Sequence, residues 1–383
     1  MEGLTAMRVL YDHQTFQAQE YGGISRYFAE LIQRNPEARL ALEYSDNAYI
    51  RKDPRFAAKL REKNFHLNRF LGGIRFRGKH RVYSCFRKAT GIRYRSNVDA
   101  SIDALEGGDF DLFHPTYYDP YFLERIGDRP FVLTIHDMIH EKYPELFQMG
   151  DMTSECKKRI ALKAALIIAV SENTKRDIIG SYGIDARRIR VVYHGSNLPK
   201  GSSSGLDLPR EYILFTGTRE GYKNFSFFVI SVAELLRDRA GLFLVCTGPR
   251  FSRAESAFLA GLGIEDKVIH RFFPEGALYR LYEEARCLVF PSYYEGFGIP
   301  ILEAFEAGCP ALLARASCFP EIAGDAALFF DPKDRQELLG SLVGLLDSEA
   351  LRRELAAKGR RRLRDFSWDD TYERTMSCYS GIL

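Results

Sequence analysis

The fold is most clearly indicated by Cys287-Leu-Val-Phe-Pro-Ser-Tyr-Tyr-Glu295-Gly-Phe-Gly-Ile-Pro-Ile-Leu-Glu303-Ala-Phe-Glu-Ala-Gly-Cys-Pro310. Its first apolar run predicts a buried strand, and a turn flanked by glycines then leads into an apolar helix. Gly296 and Gly298 permit the backbone to approach a ligand closely. Amide groups at the start of a helix suit an anion such as a diphosphate, so this segment predicts an anion-binding turn.

The same alternation of strand and helix continues through most of the 383 residues, which is typical of an open, mostly parallel α/β sheet. It stops at residues 198–209, which are rich in turn formers and predict a linker. We therefore expect two doubly wound, Rossmann-like domains, at 1–197 and 210–365, that face each other across a cleft. The tail, 366–383, is expected to pack back on the N-terminal domain.

Two carboxylates, Glu295 and Glu303, bracket the glycine-rich turn. A carboxylate can accept paired hydrogen bonds from neighbouring sugar hydroxyls, so two of them suit a glycosyl and a ribosyl group. A single glutamate is as often a helix cap or a solvated side chain. The whole string favours ligand binding over that interpretation.

The segment resembles the retaining glycosyltransferases of family 4, which have the GT-B fold, and looks most like bacterial O-antigen and capsule mannosyltransferases. The family's Glu-x7-Glu signature matches at Glu295 and Glu303. The resemblance extends over essentially the whole chain. Further matching segments occur in the family's order: Gly22-Gly23-Ile-Ser-Arg26, His136-Asp137, Val170-Ser-Glu-Asn-Thr-Lys175, Val192-Tyr-His-Gly-Ser-Asn197 and Phe319-Pro-Glu321.

The resemblance implies catalytic roles for four side chains. His136 is expected beside the donor sugar, near its anomeric centre or 6-hydroxyl, and Glu295 on the sugar hydroxyls. Arg219 and Lys223 lie in one predicted turn and can stabilise the charge of a leaving diphosphate. The family's arginine directly follows the first glycine, whereas Thr218 stands there in this chain, so Arg219 is expected to replace it.

The resemblance also implies a set of donor-binding and nucleotide-binding positions. Glu303 is expected to hold the ribose, and a loop with two phenylalanines is expected to read the edge of the base. The full predicted set is Gly22, Gly23, Gly217, Gly248, Phe272, Phe273, Phe297, Gly298, Ile299 and Glu303.

The reaction implied is transfer of a hexose, with retention, from a nucleoside diphosphate sugar to a glycan or lipid-linked glycan in polysaccharide biosynthesis. GDP-mannose is the favoured donor, and UDP-glucose or another UDP-hexose is the alternative. Two other classes remain open. A sugar-nucleotide epimerase on the same scaffold would need a further acid/base pair, and an inert assembly partner would have lost the Glu and Lys set.

No metal or redox cofactor is expected beside the donor. Asp109-Phe-Asp111 has the D-x-D form of metal-dependent transferases, but it directly precedes a predicted strand and is interpreted as a turn. No G-x-G-x-x-G follows the first strand, so a nicotinamide cofactor is not expected.

The formal net charge of +3 hides a strongly basic stretch at residues 51–95, an expected insertion in the N-terminal domain. This stretch holds 15 Lys or Arg against 2 acidic residues, or +13, so the rest of the chain sums to −10. Its aromatic residues are interleaved with the cations. A solvated face and a platform for anionic lipids or a lipid-diphosphate acceptor are both open interpretations. Nucleic-acid binding is disfavoured because no known module surrounds the stretch.

The sequence predicts a cytoplasmic protein. Its seven cysteines include no C-x-x-C pair, which favours reduced thiols. The N-terminus lacks the pattern of a signal peptide, and the apolar runs are far shorter than the roughly 20 residues of a membrane-spanning helix. Peripheral contact with the anionic inner face of the membrane remains open.

Overall fold

The computed structural model describes residues 7–62, 67, 70–74, 78–91, 94–200, 208–219, 221–270 and 275–383. Within these ranges the chain builds two parallel sheets with helices on their faces. The α/β class and the doubly wound architecture predicted from the sequence are confirmed. None of the described helices is long and apolar enough to cross a membrane.

The N-terminal sheet consists of two groups of parallel strands, in the orders β2-β1-β3 and β4-β5-β6. A parallel bridge between Phe113 and Phe131 joins the two groups, and the Phe113 amide donates to the Pro130 carbonyl at 3.3 Å. The six strands are β1 (Val9–Tyr11), β2 (Arg39–Leu40), β3 (Leu112–His114), β4 (Val132–Ile135), β5 (Leu166–Ala169) and β6 (Ile189–Val191).

The helices of this domain begin and end at residues that match their local chemistry. Ser171 caps the last of them by accepting from the Thr174 amide, and Gly183 ends it with a φ of 66°. The helices are α1 (Gln14–Ala18), α2 (Gly23–Arg34), α3 (Ala48–Arg51), α4 (Pro54–Ala57), α5 (Lys79–Thr90), α6 (Asn97–Gly107), α7 (Ile139–Lys142), α8 (Thr153–Lys163) and α9 (Glu172–Tyr182).

Six parallel strands form the C-terminal sheet in the order β12-β11-β10-β7-β8-β9. The chain starts at β7, extends the sheet to one side and then returns to place β10 on the other side of β7. Ligands of such sheets bind outside this reversal point, at the carboxyl ends of the strands. The strands are β7 (Glu211–Phe215), β8 (Leu242–Cys246), β9 (Val268–His270), β10 (Cys287–Phe290), β11 (Ala311–Ala314) and β12 (Leu328–Phe330).

Helices cover the C-terminal sheet, and its core is one continuous cluster of buried apolar residues. The N-terminal domain has two such clusters, because successive residues of a buried strand face opposite sides of the sheet. The helices of the second half are α10 (Phe225–Asp238), α11 (Arg253–Gly261), α12 (Glu275–Glu283), α13 (Ile299–Ala307), α14 (Phe319–Ala323), α15 (Arg335–Asp347), α16 (Glu349–Arg362) and α17 (Trp368–Ser380).

The last helix, α17, lies against the N-terminal domain and packs on α2. Its buried Tyr379 hydroxyl is 2.6 Å from His114 Nδ1 and 3.3 Å from the Tyr11 hydroxyl. Burial lowers the pKa of His114 to about 3, so the ring is neutral and its second nitrogen bonds Thr134 at 2.9 Å. Helix α17 therefore contributes to the core of the first domain, although the second domain precedes it in the sequence.

Replacing Tyr379 with Phe should destabilise the protein, because His114 Nδ1 would remain buried without its partner. We expect a loss of about 1–3 kcal/mol in the free energy of unfolding, measured by urea denaturation. Tyr372→Phe on the same helix is the control, since no described residue hydrogen-bonds the Tyr372 hydroxyl. Equal effects of the two substitutions would contradict the assignment.

Candidate active site

The loops after β7 and β10 bring two oppositely charged side chains together. Because β7 and β10 are neighbours in the sheet, their carboxyl ends open at the same place. Lys223 Nζ lies 2.5 Å from Glu295 Oε1, and the two side chains are 13% and 15% exposed. The ammonium also lies 5.1 Å from the ring centre of Tyr222 and 5.5 Å from that of Phe290. These apolar walls strengthen the charge interaction relative to water.

Residues that follow β11 hydrogen-bond to the backbone of the Glu295 turn and hold it in place. The Ser317 hydroxyl donates to the Glu295 carbonyl at 2.5 Å, and the Glu295 amide donates to Ser317 Oγ at 3.3 Å. The Cys318 thiol donates to the carbonyls of Glu295 and Phe297, at 3.3 and 3.1 Å. A serine–cysteine pair gives no signal of its own in a sequence, so neither residue was predicted to belong to the site.

Gly296 joins the turn to the N-terminal domain. Its carbonyl accepts from Ser171 Oγ at 2.7 Å and from Thr174 Oγ1 at 3.2 Å. A Cβ at this position would lie 1.6 Å from the His136 carbonyl oxygen, so the approach requires glycine. The carboxylate turn and the end of β4 thus meet at a single backbone contact.

Across the interface, Glu321 forms a second connection. Its two carboxylate oxygens accept from the amides of Glu172 and Asn173, at 2.6 and 3.0 Å. A carboxylate from one domain therefore caps helix α9 of the other, where the helix dipole favours negative charge. Both segments resemble segments of the family, but their sequences do not predict that they touch.

The predicted sugar-binding histidine, His136, lies at this junction. Its ring is buried, and Nε2 has no hydrogen-bond partner among the described residues. Burial, with smaller contributions from His114 and Lys157, lowers the pKa of His136 to about 3. The peptide N–H donates to the Tyr118 hydroxyl at 3.0 Å and fixes the backbone. The ring is therefore neutral and carries an unsatisfied nitrogen.

Glu303 lies on helix α13, next to a tyrosine and an arginine. The Tyr282 hydroxyl donates to Glu303 Oε2 at 2.8 Å, and Arg26 Nη1 lies 3.7 Å from Oε1. Burial and then the Glu303 charge raise the pKa of Tyr282, so it remains a donor. Arg26 is buried and also donates to the Asn197 carbonyl.

Five further predicted positions lie at or next to the boundary between the domains: Gly22, Gly23, Phe297, Gly298 and Ile299. Gly22 precedes α2, and a Cβ at Gly23 would lie 3.2 Å from Ile299 Cδ1. Gly298 starts α13 with a φ of 90°. Phe297 points toward the N-terminal domain, with its ring 4.8 Å from that of His194 and 5.9 Å from that of Phe366. Direct contacts of these residues with a donor stay predictions.

The structure does not bring Arg219 to the Lys223–Glu295 pair. Its Nε donates to Glu255 Oε1 at 2.6 Å, and its guanidinium lies 4.4 Å from the ring centre of Phe251. Its Nη2 also donates to the Pro249 carbonyl at 2.6 Å. These contacts bury the side chain against the loop after β8, so its role on a diphosphate stays a prediction.

The two predicted nucleotide glycines touch each other. Gly217 and Gly248 have φ of 100° and 92°, and a Cβ on Gly248 would lie 2.2 Å from the Gly217 carbonyl oxygen. The loops after β7 and β8 therefore approach backbone to backbone. His270 Nε2 lies 2.9 Å from the Gly248 carbonyl oxygen. The remaining predicted positions, Phe272 and Phe273, lie outside the described residues.

The D-x-D string is engaged elsewhere. Asp109 and Asp111 both pair with Arg8, at 2.7 and 2.6 Å. The Arg8 side chain lowers the pKa of the Asp111 carboxyl, first through its hydrogen bond. In the described part of the chain, no group of three or more His, Cys, Asp or Glu side chains is arranged to hold a metal ion.

Taken together, the domain boundary offers a paired carboxylate and ammonium, a glycine turn at a helix start, a second carboxylate and a neutral histidine whose Nε2 is buried and has no hydrogen-bond partner among the described residues. Carboxylates accept from hydroxyls, and the ammonium with the amides of the α13 start attracts an anion. A hydroxyl-rich ligand with a phosphate group fits this combination.

Comparison with known proteins agrees with this chemistry. The family model described as Glycosyl transferases group 1 matches residues 201–362, and that of Glycosyltransferase Family 4 matches residues 21–199. The O-antigen chain mannosyltransferase B of Escherichia coli is 27% identical over 381 residues, covering 93% of this chain and 95% of the relative. The MMP alpha-(1->4)-mannosyltransferase of Mycolicibacterium hassiacum is 30% identical over 309 residues, covering 74% of each.

The fold is similar to that of solved structures as well. Sucrose-phosphate synthase from Thermosynechococcus elongatus superposes with a TM-score of 0.73 at 19% identity, over 98% of both chains. From the two family matches, the relatives and this two-domain architecture, we conclude that the chain belongs to the family 4 glycosyltransferases of the GT-B fold.

Proposed function

We propose that this glycosyltransferase moves a hexose, with retention of configuration, from a nucleoside diphosphate sugar to a glycan or lipid-linked glycan in polysaccharide biosynthesis. The favoured donor is GDP-mannose. The observation that carries the proposal is the Lys223–Glu295 pair, 2.5 Å apart at a glycine turn that opens toward the other domain. It combines an acceptor for sugar hydroxyls with a cation for the leaving group.

In this proposal the donor lies along the carboxyl edge of the C-terminal sheet. Glu295 accepts from the sugar hydroxyls, and Lys223 with the amides at the start of α13 stabilises the charge that develops on the diphosphate. Glu303 accepts from the ribose and is positioned for this by its neighbour Tyr282, 2.8 Å away. In this proposal His136 contacts the sugar from the N-terminal domain, which requires donor binding to expose its buried, unpartnered Nε2.

For retention we propose attack on the face from which the diphosphate leaves. The acceptor oxygen bonds to the anomeric carbon as the bond from that carbon to the phosphate oxygen breaks. A phosphate oxygen takes the proton of the acceptor hydroxyl. This route needs cations and a water-excluding cleft more than a carboxylate nucleophile, and contacts between Gly296 and the N-terminal domain support such a cleft.

Mannose as the transferred sugar is supported by the relatives, whose names describe two mannosyltransferases. UDP-glucose or another UDP-hexose is the alternative donor. Independence of metal ions is supported by the pairing of Asp109 and Asp111 with Arg8, which engages both carboxylates of the D-x-D string. An inert assembly partner is disfavoured because Lys223, Glu295 and Glu303 are all present.

We also propose that the reaction takes place in the cytoplasm. The seven cysteines are all free, and four of them are buried: Cys246, Cys287, Cys309 and Cys318. Burial raises the pKa of each of these four thiols and keeps them protonated. Unpaired thiols are typical of a reducing compartment.

Glu295→Gln should lower kcat about 100- to 1,000-fold, because the amide keeps the shape of the carboxylate but weakens its hydrogen bonds to the sugar. Initial rates of hexose transfer measure this effect, and a thermal melt checks the fold. Glu265→Gln, on the exposed surface of the same domain, should leave the rate unchanged. Near-normal turnover of the Glu295 variant would contradict the proposed role of Glu295 on the sugar hydroxyls.

A panel of sugar nucleotides should identify the donor by thermal shift. We expect GDP-mannose to raise the unfolding temperature more than UDP-glucose, because ligand at 100 times its Kd adds about 2.7 kcal/mol to stability. The shift should be the same with and without EDTA. A shift with UDP-glucose alone would show that UDP-glucose, and not GDP-mannose, is the donor. A shift that disappears in EDTA would contradict metal independence. The absence of a shift with any sugar nucleotide would contradict the proposed function.

A further inference from the structure

Helix α5 (Lys79–Thr90) is an amphipathic helix whose apolar side faces solvent. Of its twelve residues, Tyr83 is the one that is buried. Val82 and Phe86 are 45% and 39% exposed, although they are large and apolar. Side chains three and four residues apart share one face of a helix. The resulting exposed stripe consists of Val82, Cys85, Phe86 and Ala89.

Aromatic contacts fix the orientation of this helix. The ring of Phe70 lies 5.2 Å from that of Tyr83 and 5.1 Å from that of Phe86. On the other side, Tyr83 stacks on Tyr94 at 6.5 Å, and the Arg87 guanidinium lies 5.7 Å from the Tyr94 ring centre. The stripe is therefore presented outward by a small aromatic cluster.

The turn that carries Phe70, whose ring contacts that of Phe86, also exposes two large apolar side chains. Leu71 and Ile74 are 53% and 64% exposed. Contiguous exposed apolar residues on a folded protein mark an interaction site. We call the exposed residues Leu71, Ile74, Val82, Phe86 and the cations Arg81 and Lys88 the basic apolar face.

The charge around this face has a single sign. From Lys63 to Val98 the sequence contains 10 Lys or Arg and no Asp or Glu. Arg81 and Lys88 are exposed on α5 itself, on the side next to the apolar stripe. A surface that combines exposed apolar side chains with cations is typical of helices that lie in the interface of an anionic membrane.

We propose that the basic apolar face docks on an anionic lipid bilayer. Arg81 and Lys88 bind the head groups, and Val82, Phe86, Leu71 and Ile74 enter the boundary with the acyl chains. A soluble polyanion would use the cations but would leave the four apolar side chains in water. Docking gives the N-terminal domain access to a lipid-linked acceptor, yet it does not depend on the proposed transfer reaction.

The test is flotation of the full chain with vesicles of phosphatidylcholine alone and of phosphatidylcholine mixed with phosphatidylglycerol. The protein should bind the mixed vesicles selectively. Arg81→Glu/Lys88→Glu should weaken binding at least about tenfold, because each basic residue near the surface contributes about fivefold. The control Arg361→Glu/Arg364→Glu changes the same charge at exposed positions of the C-terminal domain and should bind as the wild type does.

A second variant, Val82→Ser/Phe86→Ser, leaves the charge unchanged and tests the apolar contribution. It should bind the mixed vesicles several-fold more weakly and lose the binding that survives high salt. The proposal would be overturned if this variant bound as the wild type does, or if the Arg81/Lys88 and Arg361/Arg364 variants lost binding equally. It would also be overturned if the wild type bound neutral and mixed vesicles equally. Binding to heparin with no binding to vesicles would overturn it as well and would indicate a soluble polyanion.

Thermal melts of every variant exclude unfolding as the cause of a loss. The thermal shift with sugar nucleotides separates this proposal from the proposed function, because α5 lies outside the cleft. A variant that loses vesicle binding but keeps its nucleotide shift supports membrane docking. Failure of the wild type to bind any vesicle overturns docking and leaves the transferase assignment intact.

Discussion

The contact between Gly296 and the end of β4 is the constraint on which the site depends. The Gly296 carbonyl is held by Ser171 and Thr174, and its Cα lies so close to the His136 carbonyl that no Cβ fits. This contact places the turn that carries Glu295, which follows a strand of one sheet, against the backbone of the histidine that ends a strand of the other. In the proposed site, loss of this contact would leave the anion-binding residues of the C-terminal domain in place but would separate them from the histidine.

The charges in the cleft are arranged as matched pairs with low exposure. Lys223 faces Glu295, Arg26 faces Glu303, and Glu321 caps a helix of the opposite domain. Breaking a pair of this kind leaves an uncompensated charge in a poorly solvated place, which is costly. The partners therefore hold each other in position. A donor with hydroxyls and a diphosphate can contact both members of the Lys223–Glu295 pair at once, since one accepts hydrogen bonds and the other is a cation.

Local patterns in the sequence predicted the alternation of strands and helices and the glycine turn, because these depend on neighbours a few residues away. The meeting of Lys223 and Glu295 was also predictable, since both follow strands of one sheet. Contacts such as Ser171 with Gly296 join positions 125 residues apart and have no local signature. The direction of the Arg219 side chain also depends on a distant residue and could not be predicted locally. It is set by Glu255, which caps α11 together with Ser252. The basic stretch was evident from composition, but which side of α5 faces solvent depends on the packing of Phe70 and Tyr83.

The measurement that tests the account most directly compares Gly296→Ala with Gly241→Ala in hexose transfer and in donor binding. A Cβ at Gly241 meets no atom within 4 Å, so that variant should behave as the wild type does. We expect Gly296→Ala to keep binding the sugar nucleotide, because the proposed donor-binding residues lie mainly in the C-terminal domain. Its kcat should fall about 100-fold or more, as expected when catalytic groups are displaced by an ångström or so. Transfer by Gly296→Ala at the rate of Gly241→Ala would contradict the claim that this contact assembles the site.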